Sequence, residues 1–250
     1  MFNQIKKIFF KISLINIKGA LHIFWFTLIN KYSKYPSYLI EFEKKIAQKF
    51  DSNFALSFSS GTAGFYSIIK MLNLNDKSKV LISEITFPSI IKILQNINCD
   101  IEVFKLDKNF QPINNQSFKN HEFDAVIVTH PYGFLSNLNN LKNNLQNKPV
   151  IIFDLSHIQC HRINGELLNN QADYSFMSIQ GKKAISGGEG GVVFLNNKQN
   201  YLAMINLSHP GHPENSKNKI AGYSEDLKLR MHPLASILAT YDLKNFDKKK

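Results

Sequence analysis

Tyr174-Ser-Phe-Met-Ser-Ile-Gln-Gly-Lys-Lys-Ala-Ile-Ser-Gly-Gly-Glu-Gly-Gly-Val-Val-Phe-Leu195 is the stretch that decides the fold. It reads as a strand, a turn carrying Lys182 and Lys183, a glycine-dense turn, and a second strand. Four of the five residues at 187–191 are glycine, against 12 glycines in the whole chain. Such clustering permits positive φ and close backbone approach, at an entropic cost that a plain surface turn need not bear. A lysine at the end of a core strand, just ahead of that cluster, is confined. There its pKa can fall and its amine can act as a nucleophile. A basic hairpin turn without chemistry satisfies the same residues, so the flanking sequence has to decide.

Upstream, Leu39, Phe42, Ile46 and Phe50 recur at helical spacing with charges between them, and a compact domain begins at Ser37. Phe54-Ala-Leu-Ser-Phe58 reads as a short strand, Ser59-Ser-Gly-Thr62 as a turn, and residues 63–72 as an apolar helix. Val80-Leu-Ile-Ser83 and Ile101-Glu-Val-Phe104 are further strands. Pro88 stands where a helix can begin, because its missing N–H costs nothing there. Residues 107–121 are polar and read as loop. Asp124-Ala-Val-Ile-Val-Thr129 and Pro149-Val-Ile-Ile-Phe-Asp154 are continuous β-branched runs of the kind buried on both faces; residues 138–145 between them are amphipathic and Asn-rich. Alternating β and α elements with buried strands predict an α/β fold, a mostly parallel sheet covered by helices on both faces. Downstream, residues 202–207 suit a helix, residues 208–224 read as a loop without periodicity, and residues 232–243 read as a final helix.

Bulk properties narrow the function. The 250 residues are 44% hydrophobic, enough for a sizeable core. The net charge of +11 comes from scattered lysines, with no basic run in the body of the chain, which argues against a nucleic-acid partner. Cys99 and Cys160 are far apart and outside any CxxC pattern, as in a reducing, cytoplasmic compartment. His157-Ile-Gln-Cys160-His161 lacks a second metal-binding cluster, so no metal is expected. Residues 1–36 differ from the rest as an N-terminal extension. On a helix, Lys7, Lys11, Lys18 and His22 share one narrow face, and Phe9, Phe10, Leu14, Leu21, Phe24, Trp25 and Phe26 make the remainder apolar. Its longest run free of charged residues is too short to span a bilayer. A helix lying on the anionic inner face of a membrane and a helix docked on the body or on a partner subunit both remain open.

In an open parallel sheet, ligands bind at the carboxyl ends of the strands. Three polar signals stand at such ends. Ser60-Gly61-Thr62 joins a strand to a helix N-terminus, where N–H groups and the helix dipole favour a phosphate. Asp154 ends a buried strand, and Lys182 and Lys183 follow another. In chain order, phosphate turn, aromatic Phe87, carboxylate and lysine together suit pyridoxal 5'-phosphate.

Seven collinear stretches carry a resemblance. They are Ser59-Ser-Gly-Thr-Ala63, Glu84-Ile-Thr-Phe-Pro88, Thr129-His-Pro-Tyr-Gly133, Phe153-Asp-Leu-Ser-His157, Ser178-Ile-Gln-Gly-Lys-Lys183, Gly188-Glu-Gly-Gly191 and Leu229-Arg-Met-His-Pro233. Residues 37–245 resemble the DegT/DnrJ/StrS-type aminotransferases, fold type I pyridoxal-phosphate enzymes that aminate nucleotide-linked keto sugars. The resemblance implies that Lys183 is the Schiff-base lysine and that it carries the proton in transfer. Lys182 is then its neighbour, a surface or phosphate-side charge. It further implies that Ser178, Gly61 and Thr62 bind the cofactor phosphate and that Phe87 stacks on its ring. Asp154 would keep the ring nitrogen protonated, with His157 beside the ring oxygen. Glutamate is the implied amino donor and a homodimer the implied assembly. Lysine at 183 argues against the family branch that removes hydroxyls, which carries histidine there. Two departures stand out. The family has asparagine where this chain has Lys228, expected as a cross-subunit contact to the cofactor. Its members also carry a smaller C-terminal domain, which the large-domain reading of residues 37–250 does not contain. A fold type I body that binds without turnover, held at a membrane by residues 1–30, is the alternative from a different functional class.

Overall fold

The computed structural model describes residues 36–113, 121–136, 138, 141, 143, 145–163, 165–181, 183–217 and 227–246. A seven-stranded sheet takes the order β1-β9-β8-β5-β4-β2-β3, formed by β1 (Phe54–Phe58), β2 (Lys79–Ser83), β3 (Asp100–Phe104), β4 (Ala125–Thr129), β5 (Val150–Asp154), β8 (Tyr174–Ser178) and β9 (Gly191–Leu195). All strands run parallel except β9, which is antiparallel to both β1 and β8. A separate two-stranded ribbon, β6 (Arg162–Ile163) with β7 (Glu166–Leu167), lies outside it. The mostly parallel α/β architecture expected from the β-branched runs is therefore present, and the 174–195 stretch is the antiparallel hairpin β8–β9.

The helices divide between the two faces. α1 (Ser37–Lys49) and α6 (Pro233–Lys244) pack together on one, and Leu39, Phe42 and Ile46 are wholly buried there with Val126, Val128 and Ala239. α2 (Gly61–Met71), α3 (Pro88–Asn96) and α4 (Lys198–Ser208) cover the other, burying Phe65, Ile68, Leu94 and Met204 against Ala125 and Ile127. Strand β4 thus feeds both cores through alternate residues, which is why its sequence is apolar without a break. Each fully buried Leu, Ile or Phe contributes about 1.5–3 kcal/mol. Helix starts follow local chemistry. Ser60 Oγ accepts the Ala63 N–H at 3.0 Å, Asn197 caps α4, and Pro88 and Pro233 open their helices.

Strand β1 is an outer strand with an unusual polar anchor. Glu43 of α1, nearly buried, accepts from Ser57 N at 2.9 Å and Ser57 Oγ at 2.6 Å. His209 lies within 2.7 Å of Ser57 O through Nε2, which must be the protonated nitrogen because a carbonyl only accepts. Residues 229–231 close the same edge, with Ser59 N donating to Leu229 O at 2.7 Å.

Two expectations change. Residues 208–224 are not uniformly loop, because α5 (Pro213–Lys217) is a short helix with Pro213 at its start. Five residues are too few for an apolar periodicity to show. Residues 218–224 lie outside the described residues, as do residues 1–35 and part of 138–145. The β6–β7 ribbon was not expected from sequence either.

Burial holds the His130 ring down to about 4 and His209 to about 3, against an ordinary 6.5. An unfolded chain takes up protons below that ordinary value while these folded rings do not, so stability falls as pH drops below it. We expect the urea midpoint to fall between pH 7 and pH 5, each histidine costing about 2 kcal/mol at the lower pH. A level midpoint over that interval would mean that both rings protonate in the folded protein.

Candidate active site

Asp154, Thr129, Ser83 and Ser178 end parallel strands at one edge of the sheet. Around them opens a cavity of about 400 Å3, whose lining includes Gly61, Thr62, Phe87, Asp154, His157, Ser178 and Lys183. Seven residues singled out from sequence are thereby brought together. Lys228 is not: it is exposed on the segment leading to α6 and does not line this cavity. Lys182 lies outside the described residues.

Backbone proximity makes the first wall. A Cβ on Gly191 would stand 2.4 Å from Gly61 N and from Ser60 C and O, so β9 meets the turn after β1 backbone to backbone. A Cβ on Gly61 would stand 3.1 Å from Ser178 N. The N-terminus of α2 and the end of β8 therefore face each other with no side chain between them. Gly61 and Thr62 begin that helix, where N–H groups have no intrahelical acceptor. Thr62 Oγ1 is fixed by Ser89 Oγ at 2.9 Å. An anion suits this corner by hydrogen bonding and by the helix dipole. Gly190 is at φ 142, a conformation that favours glycine, and Met231 fills the space where its Cβ would be.

The second wall is carried by the loop after β5. Asp154 is buried, and one oxygen accepts the Ser156 N–H at 2.9 Å. Burial pushes its carboxyl up, opposed by the Ser156 hydrogen bonds and by His157 and Lys183. Ser156 Oγ in turn accepts the Ser178 N–H at 2.9 Å, which ties the β5 and β8 ends together. His157 is pulled below its usual range by burial and by the Lys183 charge, with Asp154 opposing. Its Nδ1 accepts the Tyr132 N–H at 3.3 Å. Tyr132 stacks on that imidazole at 6.0 Å and 25°, with its own backbone at φ 54. A bulky residue in the left-handed region costs about 1–2 kcal/mol, so the surrounding contacts hold it there against its own preference.

Lys183 hangs on the loop between β8 and β9. The loop is pinned by Gly181 N to Gly188 O at 2.9 Å and Gly187 N to Ile179 O at 2.9 Å. Gln159 bridges it from within, its Nε2 donating to Ser178 O at 2.9 Å and its Oε1 accepting from Ile185 N at 2.6 Å. Burial lowers the Lys183 ammonium from the ordinary lysine value, and Asp154 works in the opposite direction. Phe87 faces the same cavity 64% exposed, a phenyl ring with one side uncovered.

These residues fit a flat phosphorylated pyridine: an anion corner opened by Gly61 and edged by the Thr62 and Ser178 hydroxyls, an exposed phenyl ring, a buried carboxylate and a half-buried amine around one space. Sequence reasoning gave no role to Ser156, Gln159, Tyr132 or Ser89. Asp154-x-Ser156 has the spacing by which an Asp side chain bonds the backbone two residues on, a local signal available in principle. Gln159 and Ser89 act across long separations and leave no local signal.

A mostly parallel seven-stranded sheet with one antiparallel strand and a lysine loop entering it from β8 defines the fold type I aminotransferase class. The DegT/DnrJ/EryC1/StrS aminotransferase family model matches residues 27–250, and the chain belongs to that family. GDP-perosamine synthase of Escherichia coli O157:H7 is 22% identical over 185 residues, covering 70% of this chain and 49% of that protein. GDP-perosamine synthase of Vibrio cholerae is 22% identical, over 84% of this chain and 58% of that protein. The chain thus spans about half the length of these curated relatives. A putative sugar aminotransferase, Spr1654 of Streptococcus pneumoniae in its apo form, superposes with a TM-score of 0.79 at 15% identity, over 93% of this chain and 64% of the other.

Two outcomes follow from this geometry. Gly191→Ala forces backbone against backbone and should cost about 1–3 kcal/mol in urea unfolding; an unchanged midpoint would show that the Ser60–Gly61 turn moves freely. Competitive acetylation followed by mass spectrometry should titrate Lys183 below the ordinary lysine value, and Asp154→Asn should lower its midpoint further. A midpoint that rises in Asp154→Asn would contradict the assigned electrostatics.

Proposed function

We propose that this chain is the cofactor-binding body of a pyridoxal 5'-phosphate-dependent aminotransferase that moves an amino group from glutamate to a nucleotide-linked keto sugar. The observation that carries it is that Lys183, its ammonium pKa lowered by burial, shares one cavity with Asp154, the Gly61–Thr62 N-terminus of α2 and the exposed ring of Phe87. Family membership and the names of the two synthases support amino transfer to a sugar on a nucleotide carrier.

When bound, the cofactor supplies a carbonyl for amine exchange and a ring that accepts the electron pair of a broken C–H bond. Thr62 Oγ1, Ser178 Oγ and the first N–H groups of α2 would bind its phosphate, Phe87 would cover the ring, Asp154 would keep a proton on the ring nitrogen, and His157 would meet the ring oxygen. Lys183 Nζ would supply the amine that holds the cofactor and, once released, would carry the proton. A lowered ammonium pKa gives Lys183 a larger neutral fraction near pH 7 than a surface lysine has, which suits both tasks. Ser156 and Gln159 keep the strand end and the lysine loop in place while the amine swings.

The same reading takes the protein to be a homodimer in which Lys228 reaches the partner's cofactor phosphate. It places the protein in the cytoplasm, with residues 1–30 as a contact for the inner membrane face.

Mixing the chain with pyridoxal phosphate should give a visible band that glutamate bleaches. Borohydride followed by peptide mass spectrometry should then place the reduced cofactor on Lys183, and Lys183→Ala should lack both band and label while keeping its unfolding midpoint within about 1 kcal/mol. Labelling of the Lys183→Ala protein at the wild-type yield would sink the assignment.

A further inference from the structure

The loop that carries Lys183 is held from two sides. On the inner side, Gln159 Oε1 accepts the Ile185 N–H at 2.6 Å. On the outer side, the next N–H along the chain, that of Ser186, donates to Asp242 Oδ2 of α6 at 2.8 Å. We propose that Asp242 is a positioning residue for Lys183: by taking the Ser186 N–H it fixes the far end of the loop to α6, and α6 thereby sets where the amine stands. What the amine does there rests on the aminotransferase reading; where it is held does not.

One face of α6 seats the loop. Ala235, Ala239 and Asp242 stand four and three residues apart, which places them in one row on the helix. The first two are small, and the loop backbone lies directly on them: a Cβ on Gly187 would stand 2.7 Å from Ala235 O and 3.3 Å from Ala239 Cβ. Ile185 is wholly buried in the same core as Ala239 and Leu243. Met231, just ahead of α6, fills the space beside Gly190, where a Cβ would stand 2.8 Å from its Cε. At Ile185, Gly187 and Gly190 the loop therefore follows the surface of α6 and of the segment before it.

Apolar contacts of this kind are non-directional and fix a depth more than a register. A hydrogen bond to a carboxylate is directional and among the stronger kinds. Ser186 is half-buried, so an N–H released from Asp242 has to move to find another acceptor. Lys183 is three residues away, in a turn that its own N–H closes on Gln180 O at 2.9 Å. The Gly188 N–H turns back on Ser186 Oγ at 3.2 Å, so Ser186 holds the glycine end as well. A shift at Ser186 thus passes along a stretch too short to absorb it. Displacing a reacting group by about 1 Å can cost about a hundredfold in rate.

Hydrogen exchange with mass spectrometry on the cofactor-free full chain reads the tether, and competitive acetylation reads the amine. Asp242→Ala should speed exchange at Ser186 about tenfold. It should also move the Lys183 acetylation midpoint up toward the ordinary lysine value, because a loosened loop gives up part of the burial that lowers it. Asp154, His157 and Glu189 border the same space and are unaltered by the substitution. Asp242→Asn, which keeps an acceptor oxygen, should stay with the wild type. Leu94→Ala, in the core on the other face, should lower the urea midpoint and leave the Lys183 midpoint alone. Unchanged exchange and midpoint in Asp242→Ala would overturn the proposal, and so would an equal midpoint shift in Leu94→Ala. With pyridoxal phosphate added, Asp242→Ala should form the visible band about tenfold more slowly than the wild type. A wild-type chain that forms no band strikes the aminotransferase reading and leaves the result on the tether as it stands.

Discussion

A side chain at position 191 would force the backbone beside it to shift. There the first residue of β9 lies against the Ser60–Gly61 peptide so closely that a Cβ would stand 2.4 Å from its backbone atoms, well inside van der Waals contact. That contact makes the anion corner, because it brings the N-terminus of α2 onto the end of β8 with no side chain between. It also fixes the entry of the one antiparallel strand, and hence the span of the loop that carries Lys183. In the proposed function, cofactor chemistry at the lysine and anion binding at the turn both depend on that one steric fact.

Around that contact, polar groups do work that apolar packing cannot. Ser57 lies three residues before the turn, and Glu43 and His209 grip its N–H, hydroxyl and carbonyl. A buried carboxylate is costly unless its hydrogen bonds are met, and here two donors from a single residue meet them. Ser156 and Gln159 do the same for the end of β8 and for the lysine loop. Each acidic or amide group is placed so that a strand end, and not merely a side chain, is held still. The reacting groups then need little reorganisation.

The sequence was legible where physics is local. Strands β4 and β5 were readable because burial on both faces demands unbroken Val and Ile, and α1 because Leu39, Phe42 and Ile46 repeat at helical spacing. The glycine cluster at 187–191 pointed to a close backbone approach beside the lysine pair, whereas the choice of Lys183 over Lys182 came from the family resemblance. The hairpin β8–β9 could be seen as a hairpin, but not that β9 would slot between β8 and β1, since that pairing joins residues far apart in the chain. Tyr132 gave no warning of its left-handed backbone, which is imposed by His157 and Phe110 from other loops. Gln159 and Glu43 look like ordinary polar residues until their partners arrive. What escaped was whatever depends on a distant partner.

The strand order has a consequence for how the chain is made. Of the described strands β1 is synthesised first, yet its neighbour in the sheet is β9, the last of them. Until Leu195 has left the ribosome, β1 and the turn behind it have no sheet to join. Long-range pairing of this kind is slow to form and leaves strand edges open in the meantime. The corner that the proposed function assigns to the cofactor phosphate therefore needs β9 in place before it is complete. In the proposed function, a phosphate held at that corner would report that β9 has joined β1.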